Sequence, residues 1–297
     1  MGAIQEIQEA AAAVVAKVGP SVVRVGRGGG RGCGVVIGDG LVATNAHNLR
    51  GETVTVTFAD GREAMGEVAA VDLDGDLAVL RVDTDAVAPV AWSTTGAATG
   101  EVVFAVTRSA AGADRVSFGL VSGTERAFRG PRGRRIKGSL EHTAPLPRGS
   151  SGSPVVDVDG AVVGLNTNRL GDGFYLALPT DDELRHRLDS LAAGEARNRP
   201  RLGVGLAPAH VARALRRSVG LPEREGVLVR VVEEGSAAAA AGIQEGDLLT
   251  AAGDTPIATA DDLFDALDAA GAELVLSVVR GTDELTVTVT FAEAPST

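Results

Sequence analysis

The sequence predicts a mainly β protein: a double six-stranded β-barrel followed by a smaller α/β domain. Three observations carry that prediction. Short apolar runs broken by Gly and Asp turns recur from residue 21 to residue 178 with no helical period among them, as in closed barrels. Aromatic residues are only 3% of the chain, so its cores must be built from Val, Leu and Ala. After residue 200 the pattern changes, to Gly-punctuated strands, an alanine run and a capped acidic helix start.

Taken in order, residues 1–20 form an N-terminal helical segment. Ile4, Ile7, Ala11, Val14 and Val15 recur at helical spacing, Lys17 and Gly19 supply stop signals, and Pro20 begins an extended stretch. Strands near 21–26, 33–38, 41–44, 53–58, 65–71 and 77–82 make the first barrel. Residues 83–101 are a looser Ala/Thr-rich connection that carries Trp92 as a packing residue. Strands near 102–106, 115–122, 135–143, 154–157, 161–167 and 173–178 make the second barrel. A helix near 180–192, with Thr180-Asp181-Asp182-Glu183 as its capped start, closes a domain covering 21–192. Residues 193–200 read as a polar linker and 201–293 as the second domain.

A net charge of −11 argues against a nucleic-acid binder, because no general basic surface is available to neutralise phosphates. The acidity is uneven, with 15 acidic and seven basic residues after position 200. The segment Arg126–Lys137 opposes it: five Arg and one Lys with no acid, read as a surface loop or as a regulatory loop that contacts the acidic domain. Cys33 is the single cysteine, so an intrachain disulfide is impossible, which fits a reducing compartment. Met1–Glu6 lacks a basic start and a long apolar core, and the run Ala10–Ala16 is too short to span a bilayer. Two locations follow: cytoplasmic, or periplasmic or membrane-associated with an N-terminal anchor removed.

The chemistry gathers around Arg148-Gly149-Ser150-Ser151-Gly152-Ser153-Pro154. Gly149 can adopt φ > 0 and turn successive N–H groups toward one point, with the Ser151 hydroxyl exposed at the turn. Alone, that is a turn like many in a chain of 39 glycines. Upstream, however, His47 follows the strand pattern Gly34–Ala43, well placed as a general base. Asp76 opens the apolar run Leu77–Leu80, where a buried carboxylate needs a partner. His, then Asp, then Gly-x-Ser-Gly-x-Pro is the order of the triad in chymotrypsin-like proteases. Asp74 and Asp72 are the alternative acids. No His/Cys/Asp cluster has metal-ligand spacing, and no cofactor is required. His142, His186 and His210 read as surface or packing residues.

Thr44-Asn45-Ala46-His47, Asp74-Gly75-Asp76-Leu77-Ala78-Val79-Leu80, and Ser151-Gly152-Ser153-Pro154 followed by Val162-Val163-Gly164-Leu165-Asn166-Thr167 resemble the HtrA (Deg) family of serine proteases. The resemblance covers nearly the whole chain. It implies a chymotrypsin-like double barrel with His47 as base, Asp76 as orienting acid, Ser151 as nucleophile, and an oxyanion hole from Gly149, Ser150 and Ser151. Arg201–Gly205, Gly226–Val232, Gly235–Ile243, Gly246–Leu249 and Thr259–Leu263 resemble a PDZ domain. Such a domain adds a peptide as a strand beside an exposed edge. Leu202, Gly203 and Val204 would hold the terminal carboxylate, and Leu263, Phe264 and Leu267 the opposite wall. The other reading is an α/β domain that only packs on the barrels.

The family likeness further implies ATP-independent cleavage of misfolded or unfolded proteins after small aliphatic residues, and a trimer. The competing class is an inactive or locked fold acting as chaperone or PDZ adaptor. Three departures stand out. Ser153 occupies a position that is usually Gly; Val106–Gly112 and Thr143–Arg148 replace expected Gly-rich and Asn-Pro elements; and residues 1–57 contain no aromatic residue to support a trimer.

Overall fold

The computed structural model describes residues 2–27, 31–109, 111–130, 135–195, 200–207 and 209–291. The chain divides into two compact units, Met1–Arg197 and Asn198–Thr297. Residues 196–199 of the expected linker and 131–134 of the basic segment lie outside the described residues.

Among the described residues the first unit holds two closed six-stranded barrels. The first is β1 (Val22–Val25), β2 (Gly32–Gly38), β3 (Leu41–Thr44), β4 (Thr53–Thr57), β5 (Glu63–Asp72) and β6 (Leu77–Arg81), closed in the order β1-β2-β3-β6-β5-β4. The second is β7 (Val102–Arg108), β8 (Asp114–Arg129), β9 (Arg135–His142), β10 (Pro154–Val156), β11 (Val162–Gly171) and β12 (Phe174–Pro179), closed as β10-β11-β12-β9-β8-β7.

The apolar runs are continuous because many strands are buried on both faces. In the first barrel Val23, Val36, Val42 and Leu80 fill the interior. Their chain neighbours Val22, Val35, Ala43 and Val79 pack outward against Phe104, Val106 and Leu165 of the second barrel. Helix α1 (Ala3–Val18) adds Val14 and Val18 to that shared core, and α2 (Asp182–Ala192) adds Leu184, Leu188 and Leu191. The buried Arg108 ties the barrels together by donating to the carbonyls of Val22 at 2.9 Å and Gly19 at 2.6 Å and pairing with Asp114 at 2.7 Å. Trp92 forms an isolated bridge to Val162 and packs on this core.

Three local expectations are corrected. Helix α1 ends at Val18 with Gly19 as its cap, but Pro20 does not begin an extended stretch: it lies in a 3₁₀ turn, Gly19–Ser21, and the extended backbone starts at Val22. At α2 the cap is Asp181, whose side chain accepts from Leu184 N–H at 2.7 Å, whereas Thr180 donates its hydroxyl to Val162. The basic segment is not a loop at its ends. Residues 126–129 belong to β8 and 135–137 to β9, because Phe128 and Ile136 pair across the strands and are both buried.

The second unit comprises β13 (Val204–Ala207), α3 (Ala209–Ser218), β14 (Val227–Val232), α4 (Ala237–Ala240), β15 (Leu248–Ala252), β16 (Thr255–Pro256), α5 (Ala260–Ala269), β17 (Glu273–Arg280) and β18 (Asp283–Thr290). Its sheet runs β13-β14-β15-β17-β18, with β16 paired to β15, so β13 is an edge strand. Helix α5 starts in a complete capping box: Thr259 accepts from Asp262 N–H while the Asp262 carboxylate accepts from Thr259 N–H.

Candidate active site

Strand pairing brings the expected triad to one place. In the first barrel Thr44 pairs with Ala78, so the residues after β3 and those before β6 emerge at the same end. His47 lies in the 3₁₀ turn Ala46–Asn48 that follows β3, and Asp76 lies one residue before β6. In the second barrel Pro154 pairs with Leu165, so Ser151–Ser153 and Asn166–Thr167 share an end.

Asp76 is 1% exposed and sits at φ +52°, a left-handed conformation that Asp tolerates better than most residues. That turn aims the carboxylate at His47, whose Nδ1 is 2.8 Å from Oδ2 and 2.9 Å from Oδ1, while the His47 N–H donates to Oδ1 at 3.1 Å. The carboxylate therefore holds the ring proton on Nδ1 and leaves Nε2 as the acceptor. The His47 side chain is 36% exposed, so its outer edge is open. Thr167 donates its hydroxyl to Asp76 Oδ2 at 2.6 Å, and Asn45 Nδ2 donates to the Asp76 carbonyl at 2.9 Å. Asp72, one of the two alternative acids, is engaged elsewhere: it accepts from Gly75 N–H and pairs with Arg187 of α2 at 2.8 Å, which braces the turn.

The nucleophile loop hangs between the barrels. Its Ser151 carbonyl accepts from Cys33 N–H at 2.7 Å and from Asn48 Nδ2 at 3.0 Å, both in the first barrel's segment. Gly149 and Gly152 both have positive φ, +83° and +87°. A Cβ on Gly152 would stand 2.1 Å from the Cys33 carbonyl, so that position admits no side chain. The Ser150 hydroxyl donates to the Pro147 carbonyl at 2.8 Å. Among the described residues, no acceptor pairs with the backbone N–H of Gly149 or Ser151, which leaves both donors for an oxyanion. The Cys33 thiol donates weakly to Gly149 O at 3.4 Å, and burial pushes its pKa up, so it stays protonated.

One part of the triad is not joined. The Ser151 hydroxyl donates to the Thr167 carbonyl at 3.2 Å, not to His47. Behind it lies a buried network absent from the sequence reading. The unusual Ser153 accepts from Asn166 Nδ2 at 3.0 Å, and Asn166 Oδ1 accepts from His142 Nε2 at 2.8 Å. His142 stacks on Tyr175 with ring centroids 5.7 Å apart. Burial lowers its pKa, the Asn166 contact opposing that only in part. Thr167 and Asn166 follow the Val-Val-Gly-Leu run of the expected strand, and their polar pairing was the signal available.

In the second unit Leu202 is buried and its carbonyl accepts from Ala238 N–H. Gly203 has φ +76°, and Val204 opens the edge strand β13. Among the described residues, no acceptor pairs with the N–H of Leu202 or Gly203. The expected opposite wall needs correction: Leu263 and Leu267 are 1% and 3% exposed and face the unit's core, while Phe264 is half-buried against the same core. The helix stripe at i and i+4 is the buried one, which leaves these leucines backing α5 and not presented to a ligand. His186 borders a cavity with Asp72 and Arg187, and His210 is exposed.

Comparison with known proteins agrees with this architecture. A trypsin-like peptidase domain matches residues 32–165 and a PDZ domain residues 228–280. Human serine protease HTRA4 is 32% identical, with 94% of this chain and 63% of that protein aligned. HhoA of Synechocystis sp. is 32% identical over 89% of this chain and 71% of its own length. The chain thus spans about two thirds of the length of these curated relatives. Among solved structures, an HtrA-type protease AlgW with decapeptide superposes with a TM-score of 0.72 at 21% identity, covering 96% of this chain and 99% of that one. The serine endoprotease from Yersinia pestis gives a TM-score of 0.70 at 24% identity, covering 95% and 97%. The structural likeness speaks for the fold alone. With sequence identity sustained over most of HhoA and the peptidase and PDZ domains in the same chain, this protein belongs to the HtrA family of serine proteases.

Proposed function

We propose that this chain is an ATP-independent serine endopeptidase that cuts misfolded or unfolded proteins, with a PDZ unit that binds C-terminal peptides at the β13 edge. The observation that carries the reading is the His47–Asp76 pair, oriented by two short contacts to Nδ1 beside an unpaired set of loop N–H groups. In the reaction, His47 Nε2 takes the Ser151 proton as Oγ attacks a peptide carbonyl. Asp76 stabilises the imidazolium that forms. The N–H groups of Gly149 and Ser151 take up the oxyanion, each worth roughly 3–4 kcal/mol in comparable enzymes. The imidazolium then returns its proton to the leaving amine, and water hydrolyses the acyl-enzyme by the same steps in reverse order. Water is the only co-reactant, so no nucleotide enters the cycle. A chain with one cysteine can form no intrachain disulfide, which suits a reducing compartment.

One observation favours the second reading, a locked fold acting as chaperone or adaptor: the Ser151 hydroxyl rests on the Thr167 carbonyl. That contact is made by a rotatable side chain, so χ1 rotation can release Oγ from the carbonyl. Casein digestion by the wild type and by Ser151→Ala decides. Cleavage by the wild type alone supports the protease, and equal inertness with every activating peptide tried supports the adaptor.

A further inference from the structure

Beside Ser151 lies a cavity of about 370 Å³, the space that the side chain of the attacked residue would enter. Its hydrogen-bonding character is one-sided. The carbonyls of Leu146, Pro147 and Thr167 already accept from Arg169 Nη2, Ser150 Oγ and Ser151 Oγ. The Asn166 amide is committed on both ends, to His142 and to Ser153. The donors are not committed to the same degree. Arg169 Nη2 also donates to the Tyr175 hydroxyl oxygen at 3.0 Å, so the phenol keeps its own proton for another acceptor. The guanidinium lies over the Tyr175 ring at 5.1 Å, which fixes its plane at the wall. Arg148, exposed at the turn, lines the same space.

Among the described residues no Asp or Glu lines this cavity, although the chain carries a net charge of −11. The acid on the catalytic side, Asp76, is 1% exposed and covered by Thr167. Arg169 Nη2 is spent on Leu146 and Tyr175, so the guanidinium's Nε and Nη1 protons and the Tyr175 O–H are the donors left for an anion in the recess, and Arg148 adds positive charge at its lining. A small aliphatic side chain would offer these remaining donors no acceptor.

We infer that the cavity selects Asp or Glu at the residue whose carbonyl Ser151 attacks, with Arg169 as the specificity-determining side chain. This departs from the aliphatic preference that family likeness implies, and it rests on the protease reading above.

The experiment uses the full chain and a set of otherwise identical quenched-fluorescent peptides. The residue before the scissile bond is Glu, Asp, Gln, Val or Ala, and casein digests are sequenced for their cleavage sites. Glu should exceed its neutral isostere Gln by roughly 10- to 100-fold in kcat/KM, the range expected for charge-assisted hydrogen bonds. Arg169→Ala should bring the Glu/Gln ratio near one, Arg169→Lys should keep part of it, and Arg148→Ala should lower it less. Circular dichroism reports whether each variant folds; because the ratio compares substrates within one variant, a general loss of activity does not imitate the effect. Wild-type cleavage with Val or Ala equal to or above Glu overturns this inference and leaves the protease reading intact. A wild type that cuts no peptide and no casein overturns both.

Discussion

The Thr167 hydroxyl donates to Asp76 Oδ2 at 2.6 Å, from the second barrel to the acid of the candidate triad in the first. Asp76 is buried, so its carboxylate oxygens need hydrogen-bond donors such as this one in place of water. Thr167→Val keeps the shape and removes the donor. Leaving a buried charged acceptor short of one bond costs about 1–3 kcal/mol, so kcat/KM should fall roughly 5- to 100-fold. Thr167→Ser should restore most of it. A peptide assay with the three proteins checks this, and full activity in the valine variant would show that His47 alone holds the carboxylate.

Asp76→Asn separates chemistry from folding better than most substitutions of this acid. At φ +52° the backbone needs a residue that tolerates the left-handed region, and Asn does. The amide, however, presents a donor or acceptor of the wrong kind to Nδ1 and favours the wrong imidazole tautomer. The loss in kcat should approach that seen for the same change in other triads, roughly 10⁴-fold, with an unchanged melting profile. Near-normal turnover would remove Asp76 from the mechanism.

Much of this was legible in the residues. Strands such as Leu77–Arg81 and Val162–Gly171 announce themselves as apolar runs because both faces are packed, one inside a barrel and one against its neighbour. The residues of the candidate triad were legible because their types and chain order are distinctive. What escaped depends on pairing across the chain. Thr167 gains its role because Leu165 pairs with Pro154, which sets it beside Ser151; its local sequence shows only a polar Asn-Thr pair after an apolar run, not its partner. The end of β8 was hidden by Arg126 and Arg129, which outweigh the single buried Phe128 between them. Helix α3 was hidden for another reason: it buries only small Ala212 and Arg216, with Val211 partly buried beside them, so its apolar stripe is thin.

Gly152 carries a prediction about stability. Its φ of +87° disfavours any side chain, and a Cβ would meet the Cys33 carbonyl at 2.1 Å, a backbone atom that cannot swing aside. The Cys33 N–H also holds the Ser151 carbonyl, so relief of the clash must move the nucleophile. Gly152→Ala should cost about 2 kcal/mol or more from backbone strain alone. For a unit of this size that is a fall of roughly 4–8 °C in the protease transition, followed by calorimetry, with loss of casein cleavage. An alanine variant with wild-type melting and activity would mean that the loop has slack which the close approach does not suggest.

The buried His142 predicts how stability should vary with pH. Its side chain is fully enclosed, Nε2 is spent on Asn166, and Nδ1 has no partner among the described residues. Protonation would bury an unsolvated charge and an unpaired donor, so the folded-state pKa lies below the ordinary value of 6.5. Between that lowered value and 6.5 the unfolded chain binds the proton and the folded one does not, which makes stability rise with pH. The contribution is complete above 6.5 and is lost as pH falls from 6.5 toward the folded-state value. Melting temperature should therefore drop as pH is lowered from 7 through 5, more steeply in the wild type than in His142→Gln, whose amide offers Asn166 a similar donor without a titrating ring. Because Asn166 also binds Ser153 in the nucleophile loop, activity should fall in the same window. Parallel melting curves for the two proteins from pH 7 to pH 5 would show that His142 does not contribute to the acid sensitivity of the fold.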